Sequence, residues 1–552
     1  MNKIGQTLYK TQNTLQDKMG NSGFCRVFFS HRLYALLYST FLFLYEIRTV
    51  RDLVVAVHPV FIAWGCLLIA YDLLVAGIWK DLPYKWLLAA FALSVLITAF
   101  FTAPHVGFSS AMKSWVLTVL PFGVFYPLFF VSKNRWKDVV LCSLGFLGVT
   151  FAASFVGLAL FMMRFAGHFT LLGVSMPVGL QNYLNADGSN AIILLGIYYD
   201  SNHAATFVAA SALLSAAILW MCRTRKVDKG RKVLTVFTIV NIVAQACYFP
   251  LANSRGAFLT LFASAGIVLF LFFMVAFRTK MKAAVRVVVS LLLPAVFLAV
   301  LYAGLMGIRT GLDHVSFSIS ERRAAQVTQQ TPADGTGQQV QTPADGTGQQ
   351  AQTPADKSDD TKQDSFKKVN DSFGAGRLDI WRDALELYTH NPVIGIGPAH
   401  NDLYAQMYGM QSIIARGKAL HNSYMDLLVD YGAVGFLLMM TFLVSAAVGV
   451  VRYYLRGPMA EKTVMLSFMM MIVALPLASA FLLSCLFIST TAMEYLFLFA
   501  LSYLVSACGL PAGGGRRVSG AGENRARLPR KEDKTISTDK IRDIGEHHEQ
   551  SK

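Results

Sequence analysis

The chain has 552 residues, of which 54% are hydrophobic and only 15% charged. Soluble proteins carry about 25% charged residues, so a string of soluble domains is excluded. The formal net charge of +16 would suit nucleic acid in a soluble protein, but much of it sits in short loops between apolar runs, and no nucleic-acid recognition motif accompanies it.

Apolar runs of roughly 20 residues, each able to cross a hydrocarbon layer about 30 Å thick, recur from Asp52 to Leu510. The period-2 alternation of an outer-membrane barrel is absent. The expected fold class is all-α, a polytopic membrane protein. The polar N-terminus, Met1 to Gly23, lacks the apolar core of a cleaved signal peptide, so residues 1–26 are expected in the cytoplasm with the first spans acting as uncleaved signals.

The hydropathy pattern predicts about twelve spans. In residues 27–195 they are Val27–Tyr45, Leu53–Ile78, Tyr84–Phe101, Trp115–Val131 and Val139–Met163. Then come Ala204–Cys222, Val233–Leu251, Phe258–Phe277 and Ala284–Met306. The last three are Tyr431–Val451, Val464–Leu486 and Thr490–Leu510, with a basic cytoplasmic tail over residues 511–552. Lysine and arginine crowd the loops around Lys133–Lys137, Arg223–Lys232, Arg278–Arg286 and Arg452–Lys462. Positive-inside bias puts those loops in the cytoplasm. Arg48 and Arg51 fall on the other side, flanked by Glu46 and Asp52.

Three outward connections follow from that orientation. One runs from Arg164 to His203, one is the tight turn Asn253-Ser254-Arg255-Gly256, and one runs over residues 307–430. The third contains an 11-residue repeat, TPADGTGQQVQ at Thr331 and TPADGTGQQAQ at Thr342, with a decayed copy at Thr353. It has no aromatics and few apolar residues, so residues 326–368 read as a disordered insertion. After it, RLDIWRDALELY (Arg377–Tyr388) has the spacing of an amphipathic helix, ended by Asn391-Pro392. NSYMDLLVDYG after His421 is a second amphipathic stretch leading into a span. Two short helices there would roof a cavity at the membrane surface.

The seven cysteines show neither metal-ligand spacing nor a disulfide framework. Arginine and histidine without acidic ligand clusters point to an anionic ligand, for which the planar guanidinium is suited. Arg255 lies at a membrane boundary, where a guanidinium is costly unless it faces a polar cavity or an anion. A snorkelling arginine is the plain alternative. Arg377 begins the amphipathic helix, where the helix N-terminus favours anions. Arg382 can instead pair with Asp379, Asp383 or Glu386. His421 and His400 are candidate general bases by their ordinary pKa. Gly395 and Gly397 read as a turn. Asp200, Ser201 or Asn202 would cap the helix at His203.

Together these elements resemble the O-antigen ligase and polymerase family of bacterial membrane glycosyltransferases, over Gly196 to Gly435. GIYYDSNHAA (Gly196–Ala205) resembles the family's element before a span, with Ser201 in place of its usual proline. NSRGAFLTL (Asn253–Leu261) is similar to its Ser-Arg-Gly turn. GRLDIWRDAL with NPVIGIGPAHN is similar to its Gly-Arg…Trp…Pro…Gly-x-Gly pattern, and HNSYMDLLVDYGAVG (His421–Gly435) to its His-Asn…Gly-x-x-Gly element.

The resemblance implies a large helical fold in the bacterial plasma membrane with an outward-facing site, and no metal or other cofactor. It implies transfer of a glycan from undecaprenyl diphosphate to an acceptor hydroxyl, with Arg255 and Arg377 on the diphosphate. His421 would be the base or would position the acceptor. Direct displacement would invert the anomeric carbon. Ligase, polymerase and protein O-oligosaccharyltransferase share the pattern, so the acceptor stays open between lipid, glycan and protein. A lipid-linked glycan flippase or other transporter is the competing class, though no inverted repeat is visible.

Overall fold

The computed structural model describes residues 22–48, 50–171, 174–184, 190–224, 230–330, 375–398, 400–456, 459–481, 486–487 and 490–509. The repeat from Thr331, the N-terminal residues up to Asn21 and the basic tail lie outside the described residues. The first part contains α1 (Gly23–Phe28), α2 (His31–Tyr45), α3 (Arg51–Val55), α4 (His58–Tyr71), α5 (Lys85–Val106), α6 (Phe108–Val124) and α7 (Arg135–Met162). A sheet follows, β1 (Ala166–Leu171), β2 (Val174–Leu184) and β3 (Asn190–Gly196). Then come α8 (Ser201–Arg223), α9 (Arg231–Leu251), α10 (Arg255–Ala276) and α11 (Ala283–Gln330). The chain resumes with α12 (Ala375–His390), α13 (Asn401–Met407), α14 (Ser423–Arg456), α15 (Met459–Phe481) and α16 (Ala492–Ala507).

The protein is a polytopic helical membrane protein. Among the described residues, nine helices are long and apolar enough to cross a membrane, against about twelve expected. The other three expected spans correspond to α2, α6 and α16, which have 15, 17 and 16 residues. They lie at or below the short end of the roughly 17–25 residues a span takes. α16 is buried along almost its whole length, as an all-round apolar helix must be. Its Tyr495 packs edge-on to Phe125 and Phe43 in the centre of the core.

Two features were not visible in the hydropathy pattern. The connection after α7 is an antiparallel sheet in the order β1-β2-β3. The helix α11 runs for 48 residues, past the Gln326 where disorder was expected to start.

A buried polar network ties α7, α8 and α9. Asn241 Nδ2 donates to Ser211 and Ser215 Oγ at 2.9 and 2.8 Å, and its Oδ1 accepts from Gln245 Nε2 at 2.7 Å. Ser154 donates to Gln245 Oε1 at 2.8 Å, and Thr150 to Ser211 at 3.0 Å. Such bonds fix helix register where apolar contacts between helices and lipid are nearly equivalent.

A second, smaller hydrophobic core joins α12, α13 and the start of α14 through Ile380, Ala384, Leu387, Tyr404, Ile414 and Leu420. This is the expected roof. It is sewn to the bundle through main chain. Helix α14 breaks at Gly432, with φ 62° and ψ −171°. The segment Pro392–Gly397 fills the break. The amides of Ala433 and Val434 donate to the carbonyls of Pro392 and Val393 at 2.8 and 3.2 Å. Those of Ile396 and Gly397 donate to Val429 and Asp430 at 3.1 and 2.8 Å. A Cβ on Gly432 would meet the Val393 carbonyl oxygen at 2.3 Å, and one on Gly395 the Asp430 carbonyl at 2.4 Å. The glycines are there because two backbones touch. That is the turn role expected for Gly395 and Gly397, with a contact as its reason.

Candidate active site

Arg255 is the first residue of α10 and its side chain is exposed. The turn that presents it is fixed on three sides. Ser254 caps α10, its Oγ accepting from the Ala257 amide at 3.2 Å. The same hydroxyl donates to Asn202 Oδ1 at 2.7 Å, so the start of α8 and the start of α10 meet. Asn253, at φ 50°, is held from α11 by Arg309, whose NH1 donates to Asn253 Oδ1 at 2.9 Å. The guanidinium of Arg255 itself has no protein partner among the described residues. A fixed turn with a free cation beside new helix amides is an anion-binding arrangement.

Asn202 is positioned in turn by Asp200, which is the cap expected for α8. Its Oδ1 accepts from the amides of Asn202 and His203 at 2.7 and 3.2 Å. His203 Nδ1 faces Glu46 Oε2 at 3.1 Å, a structural pair. Arg51 bonds the Tyr45 hydroxyl at 2.7 Å and stacks on the rings of Tyr45 and Tyr199.

Arg377 lies in the first turn of α12, half-buried, and its NH1 donates to the carbonyl of Phe481 at the end of α15. Burial lowers its pKa from the usual guanidinium range. Four residues on, Trp381 Nε1 donates to the Leu420 carbonyl at 3.1 Å. This brings α12 against the residue preceding His421. His421 has φ 53° and precedes Asn422, whose Oδ1 caps α14 by accepting from the amides of Tyr424 and Met425 at 3.0 and 3.2 Å. The Leu486 amide, just beyond α15, donates to Ser423 Oγ at 3.0 Å. Arg377 bonds main chain at the end of α15, and Ser423, two residues after His421, bonds main chain just beyond it. That helix packs along α10.

The remaining candidates separate from this group. Arg382 is exposed and pairs at 4.0 Å with Asp379 one turn away, the role its helix spacing allowed. His400 sits at the start of α13, and burial holds its pKa below the ordinary imidazole value, outweighing Asp402. Its Nε2 has no partner among the described residues. Neighbouring Tyr404 is pushed up to about 12 by burial, so its phenol stays neutral. Among the described residues no three His, Cys, Asp or Glu side chains cluster as metal ligands.

Residues 240–440 match the family model described as O-antigen ligase. Over that region, a little over a third of the chain, the protein is similar to the O-antigen ligase family. The match covers the Arg255 turn, Arg309, Arg377, His400 and His421, and the family named from the motifs is borne out by it. No curated protein matches the chain. The match supports, in general terms, a membrane glycosyltransferase-type protein of polysaccharide biosynthesis. Two residues that hold the Arg255 turn, Asn202 and Arg309, do not stand out in the sequence. Asn202 had been considered only as a cap. Arg309 was not singled out, although the boundary-arginine argument applied to Arg255 applies equally to an arginine three residues beyond the apolar run ending at Met306.

Proposed function

We propose that the protein transfers a glycan from an undecaprenyl diphosphate carrier to an acceptor hydroxyl at the outer face of the bacterial plasma membrane. Arg255 and Arg377 bind the diphosphate. As the glycosidic bond breaks, negative charge grows on the leaving phosphate, and two fixed guanidinium groups stabilise it electrostatically without a metal ion. His421 takes the proton of the attacking hydroxyl or positions the acceptor, a contribution of about 10²- to 10⁴-fold if it is the base. Attack opposite the leaving group inverts the anomeric carbon.

The observation that carries this reading is the Arg255 turn. It lies inside the family match, is clamped by Asn202 and Arg309, and leaves its guanidinium without a protein partner among the described residues. The outward orientation is supported by topology: the basic connections at Arg223–Arg231 and Arg278–Lys282 lie at the far ends of α8 and α10 from Asn202 and Arg255. The test is transfer from a radiolabelled undecaprenyl-diphosphate glycan by purified protein in liposomes. Arg255→Ala and Arg377→Ala should each lose transfer while still inserting. Full activity in both would remove the mechanism. Surface glycans after gene deletion distinguish the acceptors: single uncapped repeat units indicate a polymerase, and long unattached chains a ligase.

A further inference from the structure

Arg48 and Arg51 run against the positive-inside pattern, and the structure puts them at the same end of the bundle as Arg255. The loop that carries them, between α2 and α3, is laid against the segment before α8. Ile47 and Tyr198 form an antiparallel bridge. The Arg48 amide donates to the Ile197 carbonyl, and the Tyr199 amide to the Glu46 carbonyl, both at 3.1 Å. Tyr199 stands three residues before Asn202, at most about 11 Å of extended chain. Asn202 in turn accepts from Ser254, next to Arg255. The loop and the Arg255 turn are therefore mounted on one junction, the start of α8.

The two side chains converge on one ring. The guanidinium carbon of Arg48 lies 5.4 Å from the centre of Tyr199, and that of Arg51 4.6 Å from it. Arg51 also lies 4.5 Å from the Tyr45 ring and donates to the Tyr45 hydroxyl at 2.7 Å. Cations that share a ring are at most about 10 Å apart, within one screening length at roughly 0.1 M salt, so they repel unless an anion compensates them. The protein supplies none: among the described residues neither arginine is in an ion pair with a carboxylate. Glu46 is turned to His203 Nδ1 at 3.1 Å instead, and Asp52 is exposed and pairs with neither. Neutral rings and main chain hold both charges in place, and Tyr199 is 49% exposed, so the cluster is open to a ligand.

A guanidinium stacked on a ring keeps its N–H edge as a fork for a carboxylate or a phosphate ester. Such a group could come from a sugar or from a lipid head group. The position favours the sugar. Tyr199 leads into α8, whose apolar window is 67% buried, the highest share of the nine spans, and α2 ends in buried Phe41, Leu42 and Phe43. Of the helices that carry the cluster, only α3, which Arg51 opens, leads into a lipid-facing span. We propose that Arg48 and Arg51 form a subsite for an acidic sugar in the glycan attached to the diphosphate. The proposal rests on the reading of Arg255 as the diphosphate site and adds a substrate class to it: the glycan carries negative charge within a few sugars of its carrier end.

The experiment uses the full chain in phosphatidylcholine nanodiscs and compares binding of tetragalacturonate with that of neutral maltotetraose. Geranyl diphosphate, which has no sugar, probes the Arg255 site separately. Wild type should bind tetragalacturonate at least about 10-fold more tightly than maltotetraose, the equivalent of one charge-assisted bond. That preference should vanish in the double variant Arg48→Gln/Arg51→Gln and survive Arg255→Ala. Geranyl diphosphate should show the reverse dependence. Equal affinity for the two sugars, or a preference that persists in the double variant, overturns the subsite. Loss of geranyl diphosphate together with tetragalacturonate in the double variant also overturns it, because the arginines would then only support the Arg255 turn. The lipid source is tested by native mass spectrometry from nanodiscs that contain phosphatidylglycerol: phosphatidylglycerol retained by wild type and lost in the double variant assigns the arginines to a head group and overturns the sugar. If geranyl diphosphate binding is indifferent to Arg255→Ala, the diphosphate reading fails, and the sugar subsite is still decided by the tetragalacturonate comparison.

Discussion

Replacing Gly432 by alanine tests whether the roof is held by main chain. At φ 62° and ψ −171° the position lies where an L side chain is strained, at about 1–3 kcal/mol. The new Cβ would also lie 2.3 Å from the Val393 carbonyl oxygen. Relief requires the Pro392–Gly397 segment to back out of the helix break. That movement weakens the four amide bonds from Ala433, Val434, Ile396 and Gly397, each contributing about 1 kcal/mol. With two of them lost, the local cost is about 3–5 kcal/mol. Since each 1.4 kcal/mol is tenfold in an equilibrium, the amides of Ile396 and Gly397 should exchange at least about 100-fold faster in detergent. Transfer should fall with them. Gly304→Ala is the control: its Cβ would meet nothing within 4 Å on α11, and alanine there should be neutral or stabilising by up to about 1 kcal/mol. Equal amide protection in the two variants would refute the argument.

Arg309→Ala should free Asn253 and raise the KM for the lipid-linked donor about 10-fold, since a hydrogen bond from a charged group is worth about 1.5–3 kcal/mol; an unchanged KM would show that the clamp from α11 is dispensable. Arg382→Ala removes only an exposed pair and should leave transfer and thermal stability within about 0.5 kcal/mol of wild type, in contrast to Arg377→Ala. Asn241→Ala breaks three buried bonds of α9, two to α8 and one within α9, and should cost about 2 kcal/mol in an unfolding titration, at roughly 0.6 kcal/mol per bond in a membrane. For His400 the sign follows from its lowered pKa. Burial favours the neutral ring, so the unfolded roof binds the proton more tightly, and stability is lost as pH falls below the ordinary histidine value near 6.5. Hydrogen exchange over residues 401–416 should therefore quicken between pH 7.5 and 5.5 in wild type but not in His400→Gln.

The spans and the site motifs were legible for different physical reasons. Hydropathy reports the solvent a segment must live in, so the long helices appear directly. It does not by itself tell a span from an apolar helix of the protein interior, so the shorter α2, α6 and α16 read like the longer helices. The sheet between α7 and α8 was hidden because its strands, such as VSMPVGLQNYL, do not alternate cleanly between apolar and polar. Arg255 was legible because a cation at a membrane boundary is expensive. Asn202 was not, because its role is a contact with Ser254 across 52 positions of sequence. The Gly-x-Gly of NPVIGIGP looked like a turn, and its true constraint, the broken helix 30 or more residues later, is visible only in three dimensions.

Anchoring through peptide groups leaves the roof's side chains at liberty. The side chains of Leu378, Leu385, Val393 and Met407 are exposed, and none of these side chains takes part in the bonds at the helix break, where Val393 contributes only its carbonyl. The outer surface of this roof can therefore change while two glycines, Gly395 and Gly432, preserve the seam. A scaffold of that kind can be refitted for a new acceptor without rebuilding the chemistry underneath.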